Sequence, residues 1–187
     1  MSKAIVTVVG SSNIDRSVVV KVLPSPGETV GDGIATSSIG GKGCNVAINA
    51  SMLGASVSMV TAVGEDPEGC QVLAELTAHR IDTSNVAVVG DHTGVALIVV
   101  DESGENQIAV APGANAHIAV TRAMVESADL VLSQLEVPVA TVLDAARYCT
   151  GFFAVNLSPV VPVPDELIDA CDLIVVNEYE LHAYGQL

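Results

Sequence analysis

The stretch Gly40-Gly41-Lys42-Gly43-Cys44-Asn45 constrains this chain more than any other. Glycines at 40, 41 and 43 carry no Cβ, so the backbone can turn with φ > 0 and a ligand can approach it closely. Residues 45–53 follow as NVAINASML. Val46, Ile48, Ala50, Met52 and Leu53 offer an apolar helical face, and Gly54 offers a stop. The pattern predicts a strand that ends at the glycines and a helix that opens from them. N–H groups at a helix N-terminus attract oxygens, whether of phosphate or of a sugar hydroxyl, and Lys42 adds a cation to an acidic chain. A plain strand-to-helix turn explains two of these glycines at most. A Walker A loop is excluded by the spacing and by the lack of Ser or Thr after Lys42. The dinucleotide fingerprint G-x-G-x-x-G is excluded too, because Asn45 and Val46 stand where its last glycine belongs. A nicotinamide-dependent oxidoreductase is therefore not expected.

A length of 187 residues suits one domain, which buries about 70% of its unfolded surface. Apolar residues make up 50% and aromatic ones only 3%, so Val, Ala and Ile do the packing, as in α/β proteins with buried strands. The formal charge of −15 argues against nucleic acid or an anionic membrane as partner, since both need basic patches. A phosphate ligand then needs a local cation: Lys42, a helix N-terminus or Mg²⁺. Cys44, Cys70, Cys149 and Cys171 are widely spaced, which predicts free thiols and a cytoplasmic location. The apolar run 4–9 is too short for a signal peptide core or a membrane span. The histidines show no metal-ligand spacing.

Taken in order, residues 4–9 read as a buried parallel strand ending at Gly10. Asn13 and Asp15 lie just beyond it, where open α/β sheets bind ligands. Two apart in an extended segment, they point to one side, and an amide with a carboxylate can hold neighbouring hydroxyls. An Asx turn that caps the strand is the alternative. Residues 17–22 and 28–39 are strand-prone, and Pro24-Ser25-Pro26-Gly27 is a turn. Residues 56–63 predict the next strand. Asp66-Pro67-Glu68 predicts a helix start, running to about His79. Residues 86–89 predict a short strand, and 93–100 with 106–111 a hairpin. A helix is predicted near 120–127. Strands at 129–135, 152–157 and 173–176 then alternate with helices at 138–149, near 164–170 and from Glu178. This alternation implies parallel strands with right-handed crossovers.

The glycine stretch and its Ala-rich helix resemble the first signature of the ribokinase-like (phosphofructokinase-B) carbohydrate kinases. The resemblance runs from about Val6 to the last residue. It implies an α/β ribokinase-like fold, a parallel sheet flanked by helices with a small β lid built from about 16–39 and 93–111. It also implies that 1–187 is the N-terminal portion of a longer domain, the C-terminal part of the fold being absent. The implied reaction is phosphoryl transfer from ATP to a primary hydroxyl of a small sugar, ribose first. The resemblance makes Asn13, Ile14, Asp15, Gly41, Lys42, Gly43, Cys44, Asn45 and Glu136 substrate-binding, with Ala96 and Ile98 lining the sugar site. From the residues alone, Ala96 and Ile98 suit ordinary strand packing equally well, and Glu136 suits a first-turn acid favouring the helix that follows it.

Asn177-Glu178-Tyr179-Glu180 matches the family's N-x-x-E motif. By resemblance Asn177 faces the nucleotide phosphates and Glu180 helps place Mg²⁺ through water. An N-cap followed by first-turn acids accounts for the same residues. The family's catalytic Asp lies in a Gly-Ala-Gly-Asp segment that this sequence does not contain, so no catalytic residue is assigned. The family's adenine pocket and monovalent-cation site are likewise expected outside these residues. The expectations are therefore a kinase whose base lies elsewhere, with this polypeptide alone inactive, or a non-catalytic sugar-binding or lid-dimerising fragment. Homodimers through the lid are implied by the resemblance. The strand at 173–176 is expected to leave an unpaired sheet edge.

Overall fold

The apolar run near the N-terminus becomes an inner strand of a parallel sheet. The computed structural model describes residues 3–185. In it β1 (Ile5–Val9) lies between β4 (Ser56–Gly64) and β8 (Leu130–Gln134). With β5 (Val86–Val89), β9 (Phe152–Asn156) and β10 (Leu173–Val175) they form a sheet of order β10-β9-β8-β1-β4-β5, parallel at every pairing. The period of two splits each strand between two cores. Val6, Val8, Val57, Met59 and Val63 pack against α1 (Lys42–Met52) and α2 (Pro67–Ala78). Val9, Val60, Ala62 and Val131 pack on the other face. They meet a 3-10 helix (Gly113–His117), α3 (Arg122–Val125), α4 (Val139–Tyr148) and α5 (Asp165–Asp169). A last helix, α6 (Glu178–Tyr184), follows β10. No described helix is long and apolar enough to cross a membrane.

A second sheet stands off the first, in the order β3-β2-β6-β7. Its strands are β2 (Asn13–Val20), β3 (Ile34–Gly40), β6 (Gly94–Asp101) and β7 (Asn106–Ala111). The inner pair β2–β6 is parallel and the outer pairs are antiparallel. This is the predicted lid, but β2 begins at Asn13, ahead of the expected 16. The stretch 28–33 forms no strand, and β3 starts only after Gly31 and Gly33.

Two helices depart from their predicted outlines. The first opens at Lys42, not Asn45, and its fully buried face is Gly43, Cys44 and Ala47. Met52 and Leu53, read as core, are 72% and 90% exposed. Close approach to β1 sets this rotation: a Cβ on Gly43 would lie 2.5 Å from the Gly10 carbonyl carbon and 2.6 Å from Ser11 N. The helix predicted near 120–127 shrinks to the four residues of α3. The unpredicted 3-10 helix precedes it, held by Ala114 N donating to His92 O at 2.8 Å. Among the described residues β10 pairs only with β9, and Leu173 and Val175 are each 49% exposed.

Asp66 ties the lid to the body. Its carboxylate caps α2 by accepting from Gly69 N at 2.7 Å. It also accepts from Thr93 N at 2.7 Å and Thr93 Oγ1 at 2.6 Å, immediately before the lid strand β6. Burial alone would raise its pKa, but the bonds from Thr93 and Gly69 outweigh that and hold it below the ordinary carboxylate value. A folded-state pKa depressed in this way stabilises above the unfolded value, near 3.9, and the contribution is lost as pH falls through the folded value. Asp66→Ala is expected to cost about 1–2 kcal/mol, the scale of a lost N-cap. Urea denaturation at pH 7 and pH 3 checks this, since the difference between variant and wild type should narrow at the lower pH.

Candidate functional site

The site begins on the first lid strand. Alternation along β2 puts Asn13 and Asp15 on one face and Ile14 on the other. Ile14 pairs with Ile39 and Val95, is 2% exposed, and packs in the α1–α2 core. Its side chain therefore points away from the face that bears Asn13 and Asp15. Across the parallel pairing, Asn13 stands beside Gly94, Asp15 beside Ala96, and Ser17 beside Ile98. Ala96 thus flanks the Asp15 carboxylate, and Ile98 lies one pair further up the same face. On the antiparallel side Asn13 stands beside Gly40, and a Cβ at Gly40 would collide with the Asp15 carboxylate. Two glycines of the lid strands therefore leave room for polar side chains.

The N-terminus of α1 lies below this face. Gly41 has φ 87° and turns β3 into the helix. The first N–H groups of α1 are already occupied. Lys42 N donates to Glu136 Oε2 at 3.0 Å, Gly43 N to Ser11 Oγ at 3.3 Å, and Cys44 N to Ser11 O at 3.0 Å. Ser11 Oγ in turn donates to Glu136 Oε2 at 2.6 Å. The expected cradle of free N–H groups is therefore corrected: these oxygens come from Ser11 and Glu136. Glu136 offsets the partial positive charge of α1, not of α4, the helix that follows it in sequence. Its Oε1 lies 3.9 Å from Lys42 Nζ.

Cys44 is corrected in the same way. Its side chain is fully buried, with Sγ 3.1 Å from Ser12 Oγ. Burial pushes the thiol up to about 11, against a smaller lowering by Ser12, so it stays neutral. Asn45 is exposed, one turn into α1. Asp15 carries the electrostatic tension of the site. Partial burial raises its pKa, and repulsion from Glu136 raises it further. Beside Glu136 a cleft of about 450 Å³ opens between Val110, Pro112, Asn115 and Pro138.

The last rim lies at the end of β10. Asn177 and Glu180 form a reciprocal capping box: Glu180 N donates to Asn177 Oδ1, and Asn177 N donates to Glu180 Oε2, both at 2.8 Å. Glu180 is 6% exposed. Burial acts to raise its pKa, but the Ser158 hydroxyl, the Asn177 N–H and the Lys42 charge together bring it below the ordinary value. The cap accounts for both residues locally and turns the Asn177 Nδ2 outward. Ser11 and Asn115 were missed in the sequence. Ser11 had one available signal, a hydroxyl directly after a strand-ending glycine. Asn115 had none, because its partners are more than 100 residues away in sequence.

Comparison with known proteins gives a consistent result. The chain matches the profile described as pfkB family carbohydrate kinase over residues 3–186. It is 35% identical to the ribokinase of Schizosaccharomyces pombe over 94% of this chain and 60% of that protein. Against the ribokinase of Bacillus subtilis it is 36% identical, over 94% and 62%. The chain thus spans about three fifths of the length of these curated relatives. Among solved structures, ribokinase from Thermotoga maritima superposes with a TM-score of 0.89 at 30% identity, over 97% of this chain and 62% of that one. The Arabidopsis thaliana ribokinase complexed with ribose and ATP gives 0.85 at 28% identity, over 97% and 62%.

The Asp15–Glu136 repulsion has a measurable consequence. A carboxyl whose pKa is raised on folding is penalised once ionised, and the penalty sets in as pH rises from the ordinary value through the raised one. Asp15→Asn removes it. The variant is expected to melt at or above the wild-type temperature at pH 7, with the gain vanishing near pH 3, by differential scanning calorimetry.

Proposed function

Because the chain belongs to the pfkB family of carbohydrate kinases, we propose that it carries the sugar-binding side of an ATP-dependent kinase. The reaction is transfer of the γ-phosphoryl group to the primary hydroxyl of a small sugar, D-ribose giving ribose 5-phosphate. The observation that carries this reading is the polar face of β2: Asn13 and Asp15 point together over the α1 N-terminus, with Glu136 and Lys42 beside them. A half-buried Asp15 next to another carboxylate is costly without a partner, and sugar hydroxyls supply donors to both acids. Asn45 and the backbone at Gly41 complete the proposed sugar contacts, Gly43 serving to bring α1 against Ser11, and Ala96 and Ile98 set the apolar wall. In this reading Asn177 offers Nδ2 to the nucleotide phosphates.

Phosphoryl transfer is mostly positioning and charge neutralisation. Mg²⁺ accompanies ATP in this proposal and neutralises phosphate charge. Among the described residues no three His, Cys, Asp or Glu side chains converge. Glu180 has one carboxylate oxygen committed to its cap. These residues do not fit a direct Mg²⁺ site, so no step is routed through the ion. The 187 residues hold no Gly-Ala-Gly-Asp segment. Lacking that base typically costs about 10²–10⁴-fold.

A second reading, self-association through the lid, has its own observation. Ile108 and Val110 pair with Ile98 and Ala96 on the Asp15 face, and they are 57% and 51% exposed. A second lid can cover them; Ile108→Glu is expected to shift any dimer to monomer in sedimentation velocity.

The direct test is ribose-dependent thermal stabilisation. Ligand at about 100 times Kd adds about 2.7 kcal/mol to stability. Wild type should gain Tm with ribose, while Asp15→Ala and Asn45→Ala lose most of the gain and Cys44→Ala keeps it. No gain in wild type at saturating ribose, or an unchanged gain in Asp15→Ala, overturns the reading. A coupled ADP-release assay on the same 187 residues is expected to show no ribose-dependent turnover.

A further inference from the structure

The amide of Asn13 can face the sugar with its oxygen or with its NH2, and these are opposite specificities. We propose that Asn115 is the positioning residue that fixes this choice, so that Asn13 offers a donor. The inference rests on the reading of Asn13 as a sugar ligand.

The backbone groups of Ser12 cannot be reversed. Ser12 is fully buried and its backbone N–H is a fixed donor, which gives to Asn115 Oδ1 at 2.9 Å. That contact commits the Asn115 oxygen, leaving its NH2 as the other end. The NH2 donates to Ser12 O at 3.1 Å, a fixed acceptor, and to Asn13 Oδ1 at 2.8 Å. Asn13 must therefore turn its oxygen toward Asn115, because the reverse would set two NH2 groups against each other. Both residues are nearly closed to solvent, Asn115 at 1% and Asn13 at 3%, so neither contact is easily exchanged for water.

Where the other end of Asn13 goes follows by elimination. Among the described residues the one fully buried side-chain polar atom without a partner is Gln134 Oε1. Asn13 Nδ2 has no partner among the described residues either, so it keeps contact with the open side of the site. Gly94 makes the arrangement possible: a Cβ there would collide with both Asn13 Oδ1 and Asn115 Nδ2. Asn115 sits in the 3-10 helix four residues after the end of β7. The lid's return segment thus sets the polarity of a residue on the lid's first strand. With Asp15 beside it as acceptor, the pair offers one donor and one acceptor to adjacent hydroxyls.

The test uses side-chain amides of ¹⁵N-labelled protein and a double-mutant cycle on ribose affinity. In ligand-free wild type the Asn115 NH2 should exchange more slowly than the Asn13 NH2, and ribose should slow Asn13. Asn115→Asp, whose second oxygen can only accept, should flip Asn13 and protect its NH2 without ligand. It should weaken ribose binding by about tenfold or more, as loss of a buried hydrogen-bond partner does. Asn115→Ala should weaken ribose binding similarly in the wild-type background and by less than about twofold in Asn13→Ala. Additive losses, or a protected Asn13 NH2 in ligand-free wild type, overturn the proposal. The wild-type exchange measurement decides even where the Asn115 variants do not fold. If wild type shows no ribose binding, the sugar reading fails on its own, and the ligand-free exchange order still decides the role of Asn115.

Discussion

The Glu136 carboxylate holds the site together. Through Oε2 it receives the Ser11 hydroxyl and the Lys42 N–H, which joins the end of β8 to the end of β1 and to the first turn of α1. These segments are 125 and 94 residues apart in sequence from Glu136. A half-buried acid in this position is stabilised by the α1 dipole and by Lys42. It also burdens Asp15, whose own charge it opposes. The stability of the rim and the tension in the ligand face therefore come from one group. Asp15 has no protein cation of its own among the described residues, which suits a carboxylate reserved for hydroxyl donors.

Much of the fold was legible because local chemistry decided it. Asp66-Pro67 fixed the start of α2 through cap geometry, and the 4–9 run could only be a buried strand. The outline of the lid followed from strand-prone stretches broken by turn residues. What was not legible depended on distant partners. The N–H groups of α1 read as vacant until Ser11 and Glu136 were brought to them. Cys44 read as part of the loop, although the close approach of Gly43 to Gly10 rolls it inward. Ile14 was assigned with its neighbours on family grounds, while strand alternation alone already opposed it. Asn115 had no signature at all, since an asparagine after Pro-Gly reads as a turn residue.

Asn177 and Asn13 share a physical device. Each side-chain oxygen is committed inside the protein, to Glu180 N in one case and to Asn115 Nδ2 in the other. Each NH2 is left facing outward. Amides are symmetric enough in shape to bind in either sense, and an internal bond removes that ambiguity before any ligand arrives. In the proposed kinase both outward groups are donors, which suits sugar oxygens at one end and phosphate oxygens at the other.

The parallel pairing at the centre of the lid has a kinetic meaning. Asn13 meets Gly94 and Val20 meets Asp101, partners about 80 residues apart in sequence. Closing a loop of that size costs entropy before the pairing returns anything, so such contacts form late. The β1–β4 pairing closes over about 50 residues and can form earlier, whereas the lid can order only once β6 has been delivered to β2, and β8 joins β1 over a longer closure still. With an outer strand exposed along its whole length, the lid is a unit that opens readily in the native state. Asn13 and Asp15, proposed to hold the sugar, lie on that unit. In the proposed kinase, sugar recognition is then coupled to the ordering of that sheet.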